Sequence, residues 1–211
     1  KTSLVLDHPF FASILLRRPM KESTDIPTYA VDVRGTIYFN PTGVETMTVA
    51  ENVNRLAHEC MHVMLLHAGR LDWRDPEKWN IACDMVINDT LLESKVGHTP
   101  PNRPMMAGAR DKTSEQVYDE LPDPPAGGAG AGSGQSDGDL IYSPITEAES
   151  RELESRMKVE IAQAAQAARM QGKMPAGLQR LVDDILYVRT PWYDILERFM
   201  HETAFSDYSW S

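Results

Sequence analysis

The sequence predicts an α+β fold that is mainly helical and is built around one hydrophobic core. Residues 49–68, 77–93 and 146–171 form long stretches of helical character, whereas residues 29–39 read as a small β-hairpin that turns at Arg34-Gly35. The 211 residues, 42% of them hydrophobic, can bury one core of good size. We therefore expect one main domain, with a small sheet beside the helices and a C-terminal helical part packed on the core.

The elements near the two ends of the chain follow from capping signals. Asp7 is the expected N-cap of the first helix, with Pro9 in its first turn. Thr146 and Glu149 form a capping box that opens the longest helix. Shorter helices are predicted over residues 113–121, 178–188 and 190–204.

A segment rich in glycine and proline divides the chain. Residues 122–139 contain no aromatic or β-branched residue, so they cannot bury enough surface to become ordered by themselves. We expect a flexible loop there. It separates a metal-binding core of residues 1–121 from C-terminal helices within residues 140–211, which pack on that core.

The helix predicted over residues 49–68 carries the most informative motif, His58-Glu59-Cys60-Met61-His62. Residues four apart lie on one face of a helix, so His58 and His62 can hold one metal ion between them. Glu59 is then next to the metal, where a carboxylate can take a proton from a bound water, as in zinc-dependent peptidases. The alternative is a pair of core histidines that hydrogen-bond to neighbours. Because this helix is apolar nearly all round, unpaired polar groups in it would be costly, which favours the metal.

A catalytic zinc usually takes three protein ligands, so a third one is needed. The metzincin spacing is excluded, because it requires glycine and histidine at the positions of Leu65 and Ala68. His67 lies five residues beyond His62, which is a helical rotation of about 140°, so we expect it to point away from the metal face.

The next helix offers a better third ligand. Asp84 stands in the apolar run Ile81–Ile87, and an acid among such side chains needs a partner, which a metal would supply. The alternative is a buried acid paired with Arg55, Arg70 or a helix terminus. Asn88 lies one turn further on the same face and is expected to accept an N–H from a metal-bound imidazole.

At these residues the chain resembles a family of metallopeptidase domains found ahead of von Willebrand factor A-like domains in bacterial proteins. The resemblance lies in the His-Glu-x-x-His motif followed by His67, in residues 79–84 and in Ile87-Asn88, with weaker matches around them. It implies a zincin-like fold, peptidase activity and Asp84 as the third ligand. The chain stops at Ser211, where longer relatives would continue into the A-like domain, so we expect a short family member or an excised fragment.

The resulting hypothesis is a zinc-dependent peptidase that acts on a peptide or protein substrate. One Zn²⁺ held by His58, His62 and Asp84 would keep an open position for water, and Glu59 would be the general base. An extended substrate could pair with an edge strand, for which residues 36–39 are the candidate; closing the core is an equally good interpretation of that strand. The group that stabilises the oxyanion stays open among Tyr187, Tyr193, His67 and His201.

The alternative hypothesis is a non-catalytic, metal-stabilised interaction module. In it the metal would hold two core helices together, and the acidic surface would dock a protein partner such as an ATPase or an A-like domain. The presence of Glu59 argues against this reading, because a structural metal site needs no general base. A structural zinc also usually has four ligands with more cysteine.

The composition limits which binding partners and which cellular location we expect. The net charge of −10 makes nucleic acid and anionic membrane surfaces poor partners. No stretch approaches the length of a transmembrane helix. The only two cysteines, Cys60 and Cys83, fall in apolar helical runs and are expected to be buried thiols, which favours a cytoplasmic location.

Overall fold

Helices dominate the computed structural model of the protein, which describes residues 2–123 and 138–186. The eight described helices are α1 (Thr2–Asp7), α2 (Pro9–Leu15), α3 (Pro41–Glu45), α4 (Val49–Met64), α5 (Pro76–Glu93), α6 (Ser114–Glu120), α7 (Glu147–Met170) and α8 (Ala176–Leu186). The four described strands are β1 (Met20–Glu22), β2 (Tyr29–Asp32), β3 (Ile37–Phe39) and β4 (Leu140–Ile141). The predicted α+β, mainly helical class is confirmed.

The strands form one small sheet in the order β1-β3-β2-β4. Strands β2 and β3 are the predicted antiparallel hairpin, and Gly35 supplies the positive φ of its turn, +80°. Strand β1 pairs in parallel with β3, and β4 pairs in parallel with β2. Strand β3 therefore has a neighbour on each side, so the expectation that residues 36–39 form an edge is wrong. Strands β1 and β4 were not predicted, because they are short and, unlike β3, are not joined to their partner strand by a tight turn.

The centre of the core is formed by α4 and α5. A capping box of Thr48 and Glu51 starts α4, and every residue of this helix from Val53 to Met64 is buried. Helix α5 starts with Asp75 as its N-cap and Pro76 in its first turn, close to the predicted start at residue 77. Strand β2 packs against α4, while α2 and α7 pack together beside it. Polar residues on α4 and α5 consequently face an apolar interior.

Helix α4 is shorter than predicted, because it ends at Met64 and not near residue 68. Leu66 adopts a left-handed conformation with φ +54°, which an α-helix cannot continue. A single 3₁₀ turn follows over His67–Gly69. The direction of His67 therefore does not follow from helical rotation.

Some of the other predicted helices are confirmed, one is corrected, and one lies outside the described residues. Helices α6 and α7 lie where the sequence predicts helices; the capping box of Thr146 was expected, and the structure adds a second one at Thr113. Asp7 is the last residue of α1, not an N-cap; His8 takes the N-cap position of α2 without a side-chain hydrogen bond. The helix predicted over residues 190–204 and most of the loop predicted over residues 122–139 lie outside the described residues.

Two further observations concern the thiols and membrane spans. Cys60 and Cys83 are both free and buried, as predicted, and burial raises the pKa of each thiol.

None of the helices described between residues 2 and 186 combines the length and the apolar character that crossing a membrane requires.

Candidate metal centre

Two imidazoles and two carboxylates meet inside the core. His58 and His62 lie one turn apart on α4, Asp84 lies on α5, and Asp139 directly precedes β4. Each of the four side chains is at most 1% exposed. The structure thus brings together the three ligands expected from the sequence. It adds Asp139, the last residue of the predicted loop, which is buried here.

The facing atoms of the four side chains are the two Nε2 atoms and one oxygen of each carboxylate. The Nε2 atoms of His58 and His62 are 2.9 Å apart. Asp84 Oδ1 lies 3.3 and 3.2 Å from them, and Asp139 Oδ2 lies 3.1 and 3.8 Å from them. One ligand atom of each residue lies within 4.8 Å of all the others. Donors at about 2.0–2.2 Å from a tetrahedral zinc lie about 3.3–3.6 Å apart, so the spacing suits one metal ion.

The carboxylates lack hydrogen bonds that buried anions normally accept. Among the described residues, neither oxygen of Asp84 has a hydrogen-bond partner, nor does Oδ1 of Asp139. Burial by itself raises the pKa of Asp139, but the adjacent rings of His62 and His58 hold it well below its usual range. A buried, ionised carboxylate without hydrogen bonds is costly, and a cation between these groups would remove that cost.

Asn88 fixes the ring of His58. Its Oδ1 atom lies 3.0 Å from Nδ1 of His58, while its Nδ2 donates to the carbonyl oxygen of Pro104 at 3.0 Å. The bond to Pro104 sets the orientation of the amide, so Oδ1 is the atom that faces the ring. With a metal bound, the ring would carry its proton on Nδ1 and direct the lone pair of Nε2 at the ion. This is the contact expected for Asn88 from the sequence; its role at a bound metal stays a prediction.

His67 holds the ring of His62 in the same way, from the side opposite the cluster, so it is not one of the four clustered residues, in line with the expectation that it points off the metal face. The Nδ1 atoms of the two rings are 3.1 Å apart, and Nε2 of His67 lies 2.9 Å from Oγ of Ser114. With the lone pair of His62 Nε2 facing the carboxylates, the proton of His62 is on Nδ1 and that of His67 is on Nε2. Burial lowers the pKa of His67 well below its usual value, so its ring is neutral and can accept.

Glu59 lies in the same buried region, one residue from His58, and is 0% exposed. Its nearest described partner is Arg55, whose Nη2 lies 3.3 Å from Oε1. The same nitrogen lies 3.5 Å from Oδ2 of Asp139. Burial raises the pKa of Glu59 to about 8 despite the nearby guanidinium. Arg55, expected from the sequence only as a possible partner of Asp84, lies between Glu59 and Asp139.

Acidic side chains outnumber the basic ones described around this centre. The carboxyl groups of Glu59, Asp84 and Asp139 lie near the buried guanidinium of Arg55. A divalent cation would offset the negative charge of the two aspartates. Two imidazole nitrogens and carboxylate oxygens are donors that zinc accepts. The residues present therefore fit a zinc ion in both charge and donor type.

A signal for the missed residues is hard to find in the sequence. Asp139 stands between a glycine-rich stretch and the short apolar run Leu140-Ile141, which is too brief to be read as a strand. Ser114 follows an N-cap position and looks like an ordinary first-turn residue. Of the four oxyanion candidates, His67 is fully buried and occupied by His62 and Ser114; Tyr187, Tyr193 and His201 lie outside the described residues.

These features define a mainly helical α+β protein with a buried cluster of histidine and aspartate that could hold a metal ion. Comparison with known protein families agrees with that class. The chain belongs to a family described as “Putative metallopeptidase domain”, which it matches over residues 1–211. Comparisons with curated proteins and with solved structures found no match.

Proposed function

We propose that this protein is a zinc-dependent peptidase with a zincin-like fold, in which His58, His62 and Asp84 are the metal ligands. The observation that carries the proposal is the convergence of the two Nε2 atoms and Asp84 Oδ1 within 3.3 Å of one another inside the core. In a member of a metallopeptidase family, this donor set is best explained by a bound metal. Zinc is proposed over other divalent ions because imidazole suits zinc, whereas sites made of oxygen alone suit magnesium or calcium.

The bound zinc would lower the pKa of a water molecule toward neutral and polarise the carbonyl of the scissile bond. Glu59 is the proposed general base, which takes a proton from the attacking water and passes it to the leaving amine. Neither carboxylate oxygen of Glu59 has a hydrogen-bond partner among the described residues, so its lone pairs are free to accept that proton. Arg55 lies against one of these oxygens and would hold the carboxylate in place.

The proposed substrate is a peptide or a protein. Such a substrate would present an extended main chain to the small sheet that packs against α4. A von Willebrand factor A-like domain or an ATPase is proposed as a partner, on the family resemblance alone.

A second candidate function is a metal-stabilised interaction module without turnover. It is favoured by the burial of the centre, since His58, Glu59, His62, Asp84 and Asp139 are all at most 1% exposed. A fourth candidate ligand, Asp139, beside the three expected ones also resembles a structural zinc site, in which four protein ligands close the coordination sphere. Glu59 distinguishes the two candidates, because only the peptidase needs it as a base.

The decisive experiment compares the wild-type protein with the Glu59→Gln variant. Both should contain about one zinc per chain, whereas Asp84→Ala and His62→Ala should lose it. Hydrolysis of a broad peptide library should fall by about 10²–10⁴-fold in Glu59→Gln, which is the usual contribution of a positioned acid–base group. An interaction module would cleave nothing in either form. Cleavage by Glu59→Gln at the wild-type rate would show that the base lies elsewhere, and full zinc occupancy in Asp84→Ala would remove that residue from the ligand set.

A further inference from the structure

We propose that Asp139 is a displaceable fourth ligand of the metal, and that residues 139–141 occupy the place of a substrate peptide in the conformation described here. The inference rests on the proposed function, because it concerns access to the same centre. It assigns to Asp139 a role that the motif around His58 does not reveal.

Asp139 is placed where it could bind the metal ion. Its Oδ2 atom lies 3.1 Å from Nε2 of His58, which is closer than the 3.3 Å between Asp84 Oδ1 and the same nitrogen. Asp139 is 0% exposed, and its Oδ1 atom has no hydrogen-bond partner among the described residues. The oxygen that faces the cluster is Oδ2, which lies 3.1 and 3.8 Å from the two Nε2 atoms, so a metal ion held between the rings would be within its reach.

A fourth ligand closes the centre. Catalytic zinc sites keep one position for water, whereas four protein ligands complete a tetrahedron. With Asp139 in place, the centre has no position for the attacking water. The complete burial of Glu59 and of all four ligand side chains agrees with a closed state.

The strand that follows Asp139 covers the part of the sheet where an extended peptide would pair. The carbonyl oxygen of Asp139 accepts a hydrogen bond from the N–H of Val31 at 2.7 Å, and Leu140 lies opposite Val31 in the register of β4 on β2. The other side of β2 is taken by β3. A peptide could therefore add to β2 only on the side that β4 occupies. The binding edge is β2, and the chain's own residues 139–141 fill it.

The three remaining ligands do not depend on Asp139 for their orientation. His58 is held from behind by Asn88 and His62 is held by His67, while Asp84 is carried by the long helix α5. Arg55, which lies near Asp139, keeps its ion pair with Glu59. Strand β4 has only two residues. Withdrawal of Asp139 therefore leaves a three-ligand centre, and one water molecule takes the place of the departing carboxylate.

Azide binding to the cobalt-substituted full chain tests this inference, because azide is a small anion that binds an open metal position and changes the visible spectrum of Co²⁺. Wild type should show no spectral change on addition of azide. Asp139→Ala should keep one metal ion per chain, bind it at least about 10-fold more weakly, and respond to azide. Asp89→Asn is the matched control, since Asp89 is a buried carboxylate that pairs with Arg110. It should behave like wild type.

Two results would overturn the proposal. An azide response in wild type equal to that of Asp139→Ala would show that the fourth position is already open. Complete loss of metal from a folded Asp139→Ala would show that Asp139 is a permanent structural ligand. If Asp139→Ala does not fold, Asp139→Asn keeps the size of the side chain and should respond to azide, and the wild-type measurement stands by itself. Neither measurement uses hydrolysis, so a failure of the peptidase proposal is recognised separately, by the Glu59→Gln comparison.

Discussion

The Nδ1 atom of His67 lies 3.1 Å from the Nδ1 atom of His62, while Nε2 of the His62 ring lies 3.2 Å from Asp84. The two ring nitrogens of His62 thus have different neighbours. One nitrogen faces the candidate metal centre, and the other is held by a neutral ring that Ser114 holds in turn. The indole N–H of Trp79 donates to the carbonyl oxygen of His67 and fixes its backbone.

The first prediction concerns this pair. His67→Leu should lower the zinc affinity by about 10–100-fold, because partners of a metal-bound histidine fix its tautomer and its orientation. The measurement is a competition titration with a chromophoric chelator. His98→Leu is the control, since His98 is an exposed histidine that makes no contact with the centre. Equal affinities in the two variants would show that His67 serves packing alone.

The second prediction concerns Asn88. Asn88→Ala and Asn54→Ala each remove a buried amide that donates to a main-chain carbonyl, at 3.0 Å and 2.9 Å respectively. Both should lower the free energy of unfolding by about 1–3 kcal/mol, the cost of unsatisfied buried partners. Only Asn88→Ala should also lower the zinc affinity, because only Asn88 contacts a ring of the centre. A similar loss of affinity in Asn54→Ala would attribute the effect to general destabilisation.

The third prediction concerns Arg55. Arg55→Met removes the guanidinium that faces Glu59 and Asp139, and it should lower the free energy of unfolding of the zinc-loaded protein by about 3–5 kcal/mol. The measurement is denaturant unfolding. Arg151→Met is the control; it breaks an exposed ion pair on α7 and should have little effect. The double variant Arg55→Met/Glu59→Gln should be less destabilised than Arg55→Met, because it leaves one fewer buried charge unpaired. Additive losses would contradict the pairing.

The fourth prediction concerns pH. Arg70 donates to both carboxylate oxygens of Glu115, at 2.6 and 2.7 Å, which ties the turn after α4 to the helix that carries Ser114. Partial burial raises the pKa of Glu115, but the bonds from Arg70 outweigh it and the net pKa is lowered. A carboxyl group with a lowered pKa stabilises the fold above its unfolded pKa of 4.5, and this contribution is lost as the pH falls through its folded pKa.

Glu115→Gln should therefore be less stable than wild type near neutral pH, by at most about 1 kcal/mol because the pair is partly exposed. The difference between the two proteins should shrink as the pH falls below 4.5. Denaturant unfolding of both proteins across this range measures it. Comparing the two at each pH removes the acid effects that they share. A difference that stays constant with pH would mean that the ion pair does not contribute.

The sequence by itself determined the parts of this protein that depend on local spacing. Helical periodicity placed His58 and His62 on one face of α4, and an acid in an apolar run singled out Asp84 on α5. One further turn of the same helix indicated the contact between Asn88 and a histidine ring. A capping box located the start of α7. Each of these features depends on residues that are close together in the sequence, so the spacing of those residues predicts it.

The tertiary structure alone decided where distant residues meet. Asp139 reaches His58 across a sequence separation of 81 residues, next to a strand of two residues that pairs with β2. The left-handed Leu66 turns the chain so that His67 faces His62 and not the direction given by helical rotation. Short strands and single backbone turns leave no periodic signal, because they are stabilised by partners far away in the chain and not by their own neighbours. The motif thus located the cluster, and the fold decided which distant residues join it.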